Sequence, residues 1–257
     1  MNFPATIEDF YNNLAIPESC YLGKRLFKKL FHENSQLSAT DRKAFKEDIE
    51  SIEWKYTLKP STINIPSFED DAHEYLEVAL LHVNLSSDKR HSRIAEVIQK
   101  AIPYPVIIVL SYSSSIAISV AMKRINRADS NKMVVEAHLE TGWISLESPE
   151  GWQRDFFDDF LIKNLSFQNF FLFYEDIAKR ITAYNCATYT GAYILNIPKQ
   201  GMHIEREEAL RKLENLEREL SMLRNKLKKE KNLGNQVILN TKSKQIKDRI
   251  EAIRTKI

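Results

Sequence analysis

Arg90-His91-Ser92-Arg93-Ile94-Ala95-Glu96-Val97-Ile98-Gln99-Lys100-Ala101-Ile102-Pro103-Tyr104-Pro105-Val106-Ile107-Ile108-Val109-Leu110 is the stretch that decides the fold. Ile94, Val97, Ile98, Ala101 and Ile102 recur at the three-and-four spacing that gathers them on one face of a helix. Pro103 and Pro105 stop that helix, because proline has no amide donor and drives its predecessor towards extended geometry. Val106 to Leu110 is an unbroken apolar run, the pattern of a strand covered on both faces.

Upstream, Tyr75 to Leu85 is another apolar run, and Ser86 or Ser87 is positioned to start the helix. Strand, helix, strand is a crossover unit, so the strands around 77–84 and 106–111 are expected to be parallel. Downstream, Tyr112 to Ser115 reads as a turn. Ile116, Ile118, Val120 and Met122, then Met133, Val135, Ala137 and Leu139, alternate with smaller or polar residues. That predicts an antiparallel meander ending at Gly142. Further upstream, Trp54–Leu58 and Ile63–Ile65 read as strands around a turn at Lys59-Pro60-Ser61.

Residues 1–53 read as helical. Tyr21, Leu22, Leu26, Phe27, Leu30 and Phe31 supply an apolar face, and Ser38 or Thr40 caps a second helix that buries Ala44, Phe45, Ile49 and Ile52. The intervening Lys24, Arg25, Lys28 and Lys29 suit the wet side of an amphipathic helix better than a phosphate contact. Residues 143–200 turn helical and aromatic, with Phe156, Phe157, Phe160 and Leu161 on one face and Phe167, Phe170, Phe171, Tyr174, Ile177 and Ile181 on another. At helical spacing this stripe is core packing rather than a platform for stacked bases.

The last quarter carries a heptad seam: Ala209, Leu213, Leu216, Leu220, Leu223 and Leu227. Gly234 and its polar neighbours break it, and Ile246, Ile250, Ile253 and Ile257 resume it. Three heptads alone are marginal, so the seam requires a fold-back hairpin, with its turn at Lys231–Asn240, or a dimer. From Arg224 onward 11 Lys or Arg face three acids, a local excess of +8 in a chain of net +2. An acidic body with a basic tail suits nucleic acid or an acidic partner, although a solvated coiled coil has similar composition. The expected architecture is α+β: a mixed sheet of one parallel crossover unit plus an antiparallel meander, flanked by helices. Within a body of residues 1–203, helices occupy 1–53 and 153–185 and the sheet 54–144; an antiparallel coiled-coil hairpin follows at 204–257.

A 257-residue chain that is 43% hydrophobic and 28% charged is a folded globular protein rather than a disordered one. It lacks the roughly 18–20-residue apolar run of a membrane span. The opening Met1-Asn2-Phe3-Pro4 has no signal-like character, and Cys20 and Cys186 form neither a metal pair nor a disulfide framework, so a cytoplasmic location is expected. The six glycines make no phosphate loop or dinucleotide fingerprint, and no His-Glu-x-x-His or Gly-x-Ser-x-Gly is present. One match survives: Glu53-Trp54-Lys55 fits the Glu-x-Lys half of a metal-dependent nuclease motif, in which two carboxylates hold the cation and the lysine polarises water. Its nearest upstream acid, Asp48, is too close to come from a neighbouring strand, and the tripeptide is expected at a helix-to-strand junction.

Three segments, Trp54 to Ile65, Ile98 to Pro105, and Lys228-Lys229-Glu230-Lys231 through Val237-Ile238-Leu239-Asn240, occur in that order. Together they resemble a bacterial domain-of-unknown-function family of about this length. That family carries an Ile-Asp-Lys-Ala-Ile-Pro segment and a C-terminal Lys-Glu-Lys-Gln-Phe-Asn hairpin loop. Gln99 stands where that family usually has Asp, and Leu233-Gly234 where it usually has Phe-Asn. If the acid had a chemical role, Gln99 argues that this member lacks it. The resemblance implies a companion of DNA methyltransferase and helicase genes in restriction or phage-defence clusters, and supplies no catalytic residues. The expectation is therefore a non-catalytic accessory or assembly subunit that docks a helicase, methyltransferase or nuclease partner. Lys226, Lys228, Lys229 and Lys231 are the residues expected to touch DNA, if any do. No cofactor, metal or membrane is expected, and a homo-oligomer through the coiled coil stays open. A divergent nuclease around Glu53 and Lys55, and a stand-alone nucleic-acid binder, are the alternatives.

Overall fold

The structure, a computed structural model, describes residues 3–34, 37–126, 129–195 and 202–254. The chain packs as two compact units, Met1–Thr182 and Ala183–Ile257.

The first unit opens with α1 (Ile7–Leu14), started by a reciprocal capping box between Thr6 and Asp9. Next come β1 (Tyr21–Leu26), α2 (Lys29–Asn34) and α3 (Ala39–Glu47). Ser38 caps α3 as expected, its hydroxyl accepting the Asp41 amide proton at 3.1 Å. The expected helix over the Tyr21 region is instead a strand. Gly23 there takes φ +59°, and β1 satisfies its backbone by pairing antiparallel with β2 (Ile49–Leu58). The apparent apolar face of a helix is a strand followed by a short helix, and Phe27 between them is 71% exposed. Ile49 and Ile52 belong to β2 rather than to α3, yet they share one core with Ala44 and Phe45.

The strand expected at Ile63–Ile65 is corrected to a helical turn, α4 (Pro60–Ile63). Pro60 suits its first position, and Asn64 ends it in the left-handed conformation (φ 57°). A two-stranded ribbon of β3 (Phe68–Glu69) and β4 (Glu74–Tyr75) follows. Then come β5 (Val78–Leu85), α5 (His91–Ala101) and β6 (Val106–Tyr112). β5 and β6 are parallel, from Ala79↔Val106 to Asn84↔Ser111. Neither Ser86 nor Ser87 starts α5. Arg90 occupies its N-cap, and the Ser86 hydroxyl donates to the Glu47 carbonyl at 2.8 Å. β7 (Ser115–Asn126) and β8 (Asp129–Glu140) complete the antiparallel meander, and β9 (Ile144–Ser145) pairs with β7. The sheet order is β1-β2-β5-β6-β7-β8, with β9 beside β7.

One face of this sheet carries Ile52, Leu81, Val83, Ile108 and Leu110, packed against Phe45 of α3 and Ile94, Ala95 and Ile98 of α5. Two arginines fasten α5 to α3, Arg93 to Asp41 at 2.7 Å and Arg90 to Asp48. The opposite face, reached by the alternating residues, meets Tyr11 of α1, whose ring lies 5.6 Å from that of His82. α6 (Gly151–Asp159) adds Phe157, 5.9 Å from Phe10. α7 (Phe170–Thr190) adds Tyr174, whose buried hydroxyl donates to the Val106 carbonyl at 2.7 Å and accepts from the Ala121 amide at 3.0 Å. Most of the aromatic stripe is core: Phe156, Phe157, Phe160, Phe170 and Tyr174 are buried and Phe171 is half-buried, but Phe167, which precedes α7, is 42% exposed.

The second unit holds the end of α7 with α8 (Met202–Lys229) and α9 (Leu233–Arg254). Leu216 and Leu220 pack with Ile246 and Ile250, and Leu223 and Ile253 join at the margins. Leu216 and Leu220 stand four residues apart on the helix entering the turn, and Ile246 and Ile250 four apart on the helix leaving it, the matched spacing of an antiparallel fold-back. The turn is shorter than expected. Asn232 caps α9 by accepting the Asn235 amide proton at 3.1 Å, so Gly234 sits in the first turn of α9 instead of breaking it. Ile257 lies outside the described residues.

Candidate docking surface

Lys226, Lys228 and Lys229 occupy the last turn of α8 at positions off the Leu223–Leu227 seam, and Lys231 lies in the turn. All four are exposed. Lys242, Lys244, Lys247 and Arg249 on α9 are exposed too, so nine cations from Arg224 to Arg249 face Glu230 and Asp248 alone. The Glu230 carboxylate is taken up by the turn: it accepts the Lys231 and Asn232 amide protons, both at 2.9 Å, and is bonded by the Asn235 side chain. Those donors, the Asn232 amide foremost, hold its pKa below the usual carboxylate value. None of the lysines at 226, 228, 229 and 231 is ion-paired among the described residues.

Apolar side chains lie among these cations. Leu233 is 77% exposed, Val237 65%, Met222 59% and Ile238 55%. The expected loop at Lys231–Asn240 concealed this, because it placed Val237 and Ile238 outside any helix. A signal was present: Gln236, Leu239 and Ser243 extend the Ile246–Ile250 seam backwards at three-and-four spacing. A shallow groove runs between the helices, lined by Lys226 and Lys229 from α8, Glu230 from the turn, and Asn235, Ile238 and Leu239 from α9.

The Glu-x-Lys pair has a different setting. Glu53 and Lys55 lie within β2, not at a helix-to-strand junction, because the strand already begins at Ile49. Trp54 pairs with Leu81 and Tyr56 with Leu80, so Lys55 is the extra residue of a bulge. Its ammonium lies 3.9 Å from the Glu53 carboxylate, 4.6 Å over the Tyr11 ring and 5.9 Å over that of Tyr21. The lysine therefore faces tyrosine rings, where the nuclease chemistry needs it beside a metal-bound water. Among the described residues no three His, Cys, Asp or Glu side chains converge as a metal site.

Next to this pair the sheet carries a hydrogen-bonded chain that the sequence did not reveal. His82 Nε2 lies 2.8 Å from Ser111 Oγ, Ser111 donates to Asn84 Oδ1 at 3.1 Å, and Asn84 donates to Glu50 at 2.6 Å. A serine bonded to a histidine invites a nucleophile reading. The direction of the chain opposes it. Glu50 only accepts, so Asn84 turns its amide towards it and offers its oxygen to Ser111. Ser111 then spends its proton on Asn84, and His82 must donate through Nε2. Burial, with Lys55 nearby, pushes the His82 pKa down to about 4, so it is a neutral donor. His82 therefore orders the polar chain and does not activate the serine.

A second buried base is structural in the same sense. Lys123 of β7 donates to the carbonyls of Ile102 at 2.8 Å and Tyr104 at 2.7 Å, just past the C-terminus of α5. Burial lowers its pKa to about 7. Gln99, the position that departs from the resemblance, is also buried and donates to the Val106 carbonyl at 2.9 Å. The Gln99 amide thus serves the helix-Pro-Tyr-Pro-strand junction.

A family model described as "Domain of unknown function (DUF4391)" matches residues 14–250. No curated protein and no solved structure matches. No helix among the described residues is long and apolar enough to cross a membrane.

Proposed function

We propose, for a chain that belongs to the DUF4391 family, the role of a non-catalytic accessory subunit that docks a partner protein through the α8–α9 hairpin. The observation that carries this reading is the combination at the hairpin tip: exposed Leu233, Val237 and Ile238 set among Lys226, Lys228, Lys229 and Lys231. Solvated lysines alone need no explanation, but apolar side chains more than half exposed along one helix end are a feature of binding surfaces. The partner is an acidic surface with an apolar centre. Following the family resemblance, it belongs to a helicase or DNA methyltransferase of a bacterial restriction or anti-phage complex.

Co-expression with the products of the adjoining genes tests the proposal. The full chain is expected to co-purify with one of them, and reversing Lys226, Lys228, Lys229 and Lys231 to Glu is expected to release it. Retention of every partner by the charge-reversed chain sinks the docking role. A DNA contact through the same lysines is a second reading, favoured by the nine cations between Arg224 and Arg249. Phosphate contacts release counterions, so DNA affinity must then fall steeply with salt. Salt-insensitive binding excludes that contact.

A further inference from the structure

Resting on the docking role, we infer that the groove beside Ile238 receives an acidic amphipathic helix, which completes a three-helix bundle with α8 and α9. The groove residues fall on straight helical stripes. On α8, Glu219, Lys226 and Lys229 follow at spacings of seven and three. On α9, Asn235, Ile238, Lys242, Gln245 and Arg249 follow at three, four, three and four. Lys226, Lys229, Asn235 and Ile238 line one concavity, and Glu219, Lys242, Gln245 and Arg249 line a second, one heptad further from the turn on both helices. The α9 stripe spans 14 residue steps, about 21 Å at the helical rise. A straight groove between two antiparallel helices takes a third helix, by packing side-chain ridges into grooves.

The side chains also select the occupant. Ile238, 55% exposed, and Leu239 offer apolar contacts, and Lys226, Lys229, Lys242 and Arg249 rim them with positive charge, Glu230 lying among them at the turn. A second copy of this chain would bring the same cations against these, a repulsion rather than a contact. A phosphate backbone would use the cations and leave Ile238 in water. Away from the turn Glu219 and Asp248 offset Lys242 and Arg249, whereas near it Glu230 is engaged by the turn amides beside Lys226 and Lys229. The occupant therefore carries its acids towards the hairpin turn.

The test uses the full chain and a fluorescent 21-residue amphipathic peptide with leucine at heptad core positions and glutamate on the flanks. A lysine-for-glutamate peptide and a short DNA duplex are the comparison probes, with anisotropy as the readout. The glutamate peptide is expected to bind and the lysine peptide not to. Ile238→Ser and the double variant Lys226→Glu, Lys229→Glu are each expected to weaken binding about tenfold, roughly 1.4 kcal/mol. Asn240→Ala, exposed on α9 but off the groove stripe, is expected to leave it unchanged. Circular dichroism confirms that each variant keeps its helices. No binding of the glutamate peptide, or binding indifferent to Ile238→Ser, overturns the inference. A DNA duplex that displaces the peptide while ignoring Ile238→Ser overturns it in favour of nucleic acid. If lysine reversal releases the co-purified partner but Ile238→Ser does not, docking stands and the helix-in-groove inference falls.

Discussion

The ammonium of Lys55 lies 4.6 Å over the ring of Tyr11, on the opposite side of the sheet from the α3–α5 core. This relationship separates a structural lysine from a catalytic one. Lys55→Met is expected to cost about 1 kcal/mol, the size of a partly desolvated cation–π contact, seen as a lower unfolding midpoint. Neither the parent chain nor the variant is expected to cleave single- or double-stranded DNA with added divalent metal. Metal-dependent cleavage lost on substitution of Glu53 or Lys55 would reinstate the nuclease.

Arg180 is the buried hub of the α6–α7 junction. It donates to the Asp159 carbonyl at 3.2 Å, the Asp159 carboxylate at 3.1 Å, and the carbonyls of Asp176 and Asn164. Arg180→Met strips these acceptors of their donor and leaves Asp159 without that cation. A loss of roughly 3–5 kcal/mol is expected in chemical denaturation. A change below about 1 kcal/mol would show that solvent replaces the guanidinium.

The two buried bases shape the pH dependence from opposite ends. His82 has a folded pKa of about 4, below its unfolded value near 6.5. The unfolded chain therefore binds the extra proton as pH falls through that window, and stability drops by up to about 3 kcal/mol. His82→Gln is expected to flatten this acid limb. Lys123, with a folded pKa of about 7, works above neutrality. Its unfolded form holds the proton up to about 10.4, so stability rises with pH from about 7, at no more than about 1.4 kcal/mol per pH unit. Lys123→Met should lose that rise. Parallel curves for parent and variant would show that these groups titrate alike in both states.

Much of the fold was legible because burial and backbone chemistry agreed. Ile94 to Leu110 has a helical stripe, two prolines and a fully apolar strand, and each feature has one reading. Tyr21 to Phe31 misled because apolar and basic residues alternate in a way that fits both a helix and an edge strand. The free edge of β2 decided between them, and that edge is a long-range fact. The lysines were legible at the hairpin tip, but Val237 and Ile238 were not, since Gly234 reads locally as a breaker although Asn232 caps a helix through it. The His82–Ser111–Asn84–Glu50 chain joins three strands, so no local spacing could announce it.

Ser243 is the polar member of the α9 seam, buried and donating to the Leu239 carbonyl at 2.8 Å. A serine bonded back to its own helix weakens that helix slightly. Ser243→Ala is expected to stabilise the hairpin by about 0.5 kcal/mol, read as slower amide exchange along α9. Faster exchange would mean that the hydroxyl supports the helix.

The docking role is tested most directly by a photo-crosslinking residue at Lys229, with Lys43 on α3 as an exposed control, in cells co-expressing the products of the adjoining genes. The account predicts a covalent adduct from Lys229, identified by mass spectrometry as one of those products, and none from Lys43. An adduct from Lys43 with none from Lys229 would contradict it.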